Sequence, residues 1–154
     1  MEVDAATSNV VHKLAQVPEC YDAFEAELAQ IAVPQDPTPT QISTALVQLD
    51  TLFQKVYPYA VRARVAYDNV SSMLDEVMMS AGKGTNPTAM KADAAQQAQH
   101  YRFNDGDVIS LFELQRLAKS RHVFYDGLMQ AIAQKHSRLI TLIGARNLET
   151  KLIT

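Results

Sequence analysis

The sequence predicts an all-α protein: long antiparallel helices forming a helical bundle or coiled-coil-like body, preceded by a short N-terminal helical hairpin. Three observations predict this. An apolar ridge with alternating spacings of four and three runs from Ile42 to Val77, which is a heptad seam rather than a scatter of hydrophobic residues. A second amphipathic stretch fills the C-terminal third, and no segment sustains the alternation expected of a strand. At 154 residues the chain is long enough to bury one core without disulfides or metals.

Taken in order, residues 4–16 and 18–32 read as two short helices. Val17, Tyr21, Phe24, Leu28 and Ile31 form the apolar stripe of the second, and Pro18 suits its first turn. These elements make residues 1–33 an acidic helical hairpin. Pro34, Pro37 and Pro39 then exclude helix interior and predict a stiff linker over 34–40. The body follows over 41–154.

Thr40 is the expected N-cap of the long helix. Ile42, Leu46, Leu49, Phe53, Val56, Ala60, Ala63, Tyr67, Val70, Leu74 and Val77 form its seam, which keeps phase across Pro58. One helix kinked at the proline fits this better than two unrelated ones. It should end near Ser80, at the stretch SAGKGTNPT.

Gly82-Lys83 resembles part of a phosphate-binding loop. Such a loop needs a glycine five positions earlier and a strand in front, but Val77 stands there and helix precedes it. Gly82 is instead expected as a left-handed C-cap, Asn86-Pro87 as a turn and Thr88 as the next helix start. A weakly apolar helix is expected over 88–101, then a turn at Asn104-Asp105-Gly106. Asp107 should cap a final long helix with the stripe Leu111, Leu114, Ala118, Tyr125, Leu128, Ile132, Leu139 and Ile143. Gly127 and Gly144 each weaken its continuity by up to about 1 kcal/mol relative to alanine.

The single Cys20 excludes an internal disulfide, and the acidic opening MEVD is unlike a secretion signal. The longest apolar run, Leu139 to Ala145, is interrupted by Thr141 and falls far short of the roughly 20 residues that span a bilayer. A soluble, cytoplasmic protein without a signal peptide is expected. Residues 1–81 carry four Lys/Arg and eleven Asp/Glu, whereas 82–154 carry ten and six. That polarity suits an anionic partner at the basic end, or contacts between oppositely charged helices or subunits.

Catalytic patterns are missing. His12, His100, His122 and His136 include no pair at the spacing that places two metal ligands on one helical face, and no Glu-x-x-His occurs. Cys20 has no catalytic signature around it, and a Gly-x-Ser-x-Gly elbow is absent. The chain is therefore expected to be non-catalytic, with no metal and no cofactor.

Arginine among apolar residues remains. In YPYAVRARVAY, residues 57–67, Arg62 and Arg64 diverge by about 160° on a helix, with Tyr57, Tyr59 and Tyr67 nearby. Cations beside aromatics suit single-stranded nucleic acid, through phosphate pairing and base stacking. They suit flanking ion pairs and core tyrosines as well. Arg116, Lys119 and Arg121, followed by Lys135 and Arg138, repeat basic charge along the final helix, as a phosphate track or as a solvated face. Lys83 adds a loop cation.

Ala60-Val61-Arg62-Ala63-Arg64-Val65-Ala66-Tyr67 resembles the basic stretch in the long helix of UvsY-type recombination mediators of T-even phages, and Lys119-Ser120-Arg121 is similar to a second basic stretch near that family's C-terminal helix. The resemblance covers about 90 residues and rests on about a dozen positions. It implies a ring-forming helical protein in the phage-infected or bacterial cytoplasm that binds single-stranded DNA and loads a recombinase. Arg62 and Arg64 would be the DNA-contacting pair, with Tyr67, Lys119 and Arg121 in the similar stretches; the reading of the basic residues alone adds Lys83 and Arg116 as nucleic-acid contacts. The last helix, with Leu128, Ile132, Leu139 and Ile143, would build the homo-oligomer. The acidic N-terminal residues and the net charge of −3 depart from what a DNA-coating protein should carry. A virion component or assembly factor that self-associates without nucleic acid is the alternative.

Overall fold

The computed structural model describes residues 21–80, 82–103 and 106–153. The expected helix over 4–16, together with Pro18 and Cys20, lies outside them. Among the described residues there are four helices, α1 (Tyr21–Gln30), α2 (Pro39–Ser80), α3 (Pro87–Gln99) and α4 (Leu111–Ile153). The fold is all-α, built on two long helices. A minimal antiparallel pair, β1 (Tyr101–Arg102) and β2 (Val108–Ile109), interrupts it, where a helix end and a plain turn were expected. Gly106 makes this hairpin possible: its φ of 89° is a left-handed conformation that side chains disfavour, and its N–H donates to the Phe103 carbonyl.

The caps differ from those expected, at α2 and α3 for one reason. Proline occupies the first helical position, where its missing N–H costs nothing. Pro39 starts α2, so the cap is Thr38, whose hydroxyl accepts from Gln41 N–H at 3.2 Å while Gln41 Oε1 accepts from Thr38 N–H at 2.8 Å. That reciprocal pair is a capping box. Pro87 likewise starts α3, and the Asn86 side chain accepts from Ala89 N–H. At α4 the cap is Ser110, not Asp107, with Glu113 N–H donating to its hydroxyl at 3.4 Å.

The chain divides into two compact units, one containing Val61–Val123 and the other residues 21–60 and 124–153. In the first, α2 and α4 run antiparallel, as the Tyr67–His122 and Ser71–Gln115 contacts require. Its core joins Ala66, Val70 and Leu74 to Ala98, Phe103, Leu111, Leu114 and Ala118. In the second, α1 runs antiparallel to α2 and parallel to α4. Phe24 meets both Tyr59 and Tyr125, and Lys135 Nζ donates to the Leu28 carbonyl at 3.2 Å. α1 has no basic residue in its own last turn, so this lysine satisfies a C-terminal carbonyl from outside.

The seam of α2 is rotated from the expected one. Ile42, Leu49, Val56, Ala63, Val70 and Leu74 are buried as expected, but over most of the helix the second column is Ala45, Leu52 and Ala66, with Leu46 and Tyr67 only half-buried. Leu52 is fully buried while Phe53 is exposed. Both columns are largely apolar, so spacing does not choose between them; the small Ala45 and Ala66 admit closer neighbours. α2 continues through Pro58, which sits at an exposed position.

Gly82 is not left-handed, since Gly106 is the positive-φ glycine among the described residues. Its need is steric: a Cβ there would lie 2.6 Å from the Met90 carbonyl oxygen. Gly127 and Gly144 do not interrupt α4.

Candidate nucleic-acid interface

All seven sequence-predicted nucleic-acid residues fall within Val61–Val123. That stretch of the chain carries eight Lys/Arg and seven Asp/Glu, so any attraction for phosphate depends on where individual charges sit.

α2 sets the first two. Ala63 is buried against the core, which leaves Arg62 and Arg64 on either side of it at exposed positions. Arg64 Nε lies 4.0 Å from Asp68 Oδ2, one turn on, and both side chains are well exposed. A pair of that kind holds the guanidinium only weakly. On α4, Arg116 reaches Glu113 Oε2 through Nε at 3.2 Å and Nη2 at 3.0 Å, again at the surface, and Lys119 is exposed.

Lys83 lies in the connection between α2 and α3, which is anchored to α3. Its backbone N–H donates to Asp93 Oδ2 at 2.8 Å, and Gly84 approaches Ala89 so closely that a Cβ would stand 2.8 Å from that side chain. The Lys83 side chain is exposed.

Two expected members do not lie at the surface. Arg121 is 5% exposed, and its Nε and Nη1 are shielded from solvent. Helical geometry is the cause: Leu114, Arg121 and Leu128 stand seven apart in the buried face of α4, and the two leucines carry Arg121 inward with them. Tyr67 is half-buried, with its ring stacked at an offset against the near-parallel ring of His122, centroids 5.6 Å apart and planes at 12°. Aromatic surface is offered elsewhere on α2, by the exposed Phe53 and Tyr57, whose rings stack at 5.7 Å. Their i,i+4 spacing is legible in the sequence, but the expected seam puts Phe53 inside.

The residues expected to join subunits are engaged within the chain. Leu128, Ile132 and Leu139 are buried in its own core, and Ile143 is half-buried. The basic row of α4 is similarly divided, because Lys135 caps α1 while Arg138 is exposed; beyond that row Arg146 Nη2 pairs with Asp36 at 2.6 Å. A strict heptad along α4 places 114, 121, 128 and 135 on one face, so cations in that phase turn inward.

Among the described residues no group of three or more His, Cys, Asp or Glu is arranged to hold a metal, and no helix is long and apolar enough to cross a membrane. Burial, and secondarily the Glu76 carboxylate, raise the Tyr101 hydroxyl above its ordinary value. It is a structural group at the end of the hairpin. No protein-family model, curated protein or solved structure matches the chain.

Proposed function

We infer that the chain is a non-catalytic, self-associating helical protein that binds single-stranded DNA and hands it to a recombinase, as a phage-type recombination mediator does. The observation that carries this reading is the pair Arg62 and Arg64, held out on either side of the buried Ala63. The same sequence positions carry the resemblance to the UvsY-type stretch. Exposed Arg116, Lys119 and Lys83 in the same unit add phosphate partners. Binding through such contacts releases counterions, so affinity falls steeply with salt.

A fluorescence-anisotropy titration with a labelled oligothymidylate at low and moderate salt tests this. Saturable binding that weakens with salt supports the reading; no binding even at low salt ends it. A second reading, an assembly or adaptor protein without nucleic-acid affinity, is favoured by the Arg64–Asp68 and Arg116–Glu113 pairs, which already set carboxylates beside two of the cations.

A further inference from the structure

In the unit formed by residues 21–60 and 124–153, one acidic segment engages most of the positive charge. Residues 22–36 carry four carboxylates and no Lys or Arg. Glu27 Oε1 accepts from Lys55 Nζ at 2.7 Å, the Leu28 carbonyl from Lys135 Nζ at 3.2 Å and Asp36 Oδ1 from Arg146 Nη2 at 2.6 Å. These are three of the five Lys/Arg in those two stretches, the others being Arg138 and Lys151. Lys135 and Arg146 stand eleven residues apart on α4, about three turns, so they share one side of the helix roughly 16 Å apart. Lys55 and Tyr59 are one turn apart on α2. The same segment sets Phe24 against Tyr59 at 5.6 Å and Tyr125 at 6.4 Å. Cations and tyrosine rings thus lie under one acidic cover.

That cover is lightly held. Of residues 22–36 only Ile31 is buried, and Phe24 and Leu28 are half-buried. α1 has ten residues, too few to persist as an isolated helix in water. The side chains of Lys55 and Glu27 are 53% and 38% exposed, and that of Asp36 is 97% exposed. Ion pairs so open to water contribute little. An element with few buried contacts and solvent-exposed bonds is among the first parts of a fold to open.

We propose that residues 22–36 act as an intramolecular polyanion occupying a second single-stranded nucleic-acid site, formed by Lys55, Lys135, Arg146 and Tyr59, and that the nucleic acid displaces them. The segment already makes the contacts such a ligand would make. Its oxygens stand where phosphate oxygens would meet the cations, and the Phe24 ring stands where an unstacked base would meet the tyrosines. A duplex would bring phosphates without free bases, so the single strand is the matching class. The inference rests on the DNA binding in the proposed function and gives the acidic N-terminal residues a role in it, as a competitor for the strand.

Fluorescence anisotropy with labelled oligothymidylate at low salt compares the wild-type chain with Glu27→Gln/Asp36→Asn, which removes two carboxylates of the cover. The control is Asp50→Asn/Asp126→Asn, which removes the same charge from the same unit, where these carboxylates accept from Gln54 and Gln130 instead. Helicity is measured for each. The uncovered variant should bind about fivefold or more tighter than the control, with a logarithmic salt dependence steeper by about one to two. Adding Lys55→Gln and Arg146→Gln should abolish the gain. An equal gain in the control, or a gain that survives the loss of Lys55 and Arg146, overturns the proposal. In the wild-type chain, saturating oligothymidylate should speed amide hydrogen exchange over residues 22–33; unchanged or slowed exchange there overturns it even if a variant folds poorly. Wild-type binding that needs Arg62 and Arg64 but gains nothing from Glu27→Gln/Asp36→Asn removes this inference and leaves the proposed function standing. Absence of binding by every chain removes both.

Discussion

The imidazole of His122 lies parallel to the ring of Tyr67, with centroids 5.6 Å apart and planes 12° from parallel. The stack joins α4 to α2 within the first unit, one step from the Gln115–Ser71 hydrogen bond of 3.2 Å. It also engages a tyrosine that carries part of the resemblance, and the half-buried Tyr67 is therefore a packing residue as well. Tyr67→Ala and His122→Ala should each destabilise the fold. Their double-mutant cycle in urea should return a coupling of about 1 kcal/mol, the scale of a stacked aromatic pair beyond its burial. Additive effects would mean that the rings lie side by side without holding the helices together.

Arg121 and the Arg62/Arg64 pair should separate cleanly in a stability assay. Arg121→Ala removes a long buried side chain and should cost about 2–4 kcal/mol of unfolding free energy, whereas Arg121→Met, which keeps the stem, should cost less. Arg62→Ala with Arg64→Ala, at exposed sites, should leave the denaturation midpoint nearly unchanged.

For nucleic acid the order reverses. Combined Arg62→Ala and Arg64→Ala should weaken oligothymidylate binding at low salt about tenfold or more and flatten the logarithmic salt dependence by roughly one to two. Arg121→Met should alter neither. An Arg121 variant that folds normally yet loses binding would place its guanidinium at the surface, against its burial here.

The Thr38–Gln41 box sets the start of α2. Thr38→Ala should destabilise by about 1 kcal/mol, and Thr40→Ala by much less, because only the former oxygen meets an orphan N–H. Comparison of chemical denaturation midpoints decides between them.

Tyr101 is raised by burial and by Glu76, so folding favours its neutral form. The sign follows from linkage: this stabilisation is intact below the ordinary tyrosine value near 10 and is lost as pH climbs above it. Tyr101→Phe should therefore remove part of the alkaline loss of stability above pH 10. Ultraviolet titration of the folded protein should show one tyrosine ionising later than an exposed one.

Spacing and breakers alone determined that this is a helical protein with two long rods. A heptad pattern over dozens of residues has no other economical burial, and Gly, Asn and Pro between residues 82 and 87 end one rod. Prolines also bounded the linker, because a missing N–H is a local fact. The tertiary structure alone decided which of two neighbouring apolar columns of α2 faces inward, since Leu52 and Phe53 are both strongly apolar and spacing does not choose between them. It also decided that Arg121 and Lys135 turn inward while Arg62, Arg64 and Lys119 remain outside. A charge's exposure depends on the phase of its helix against its neighbours, and that phase is a property of packing between segments far apart in the chain.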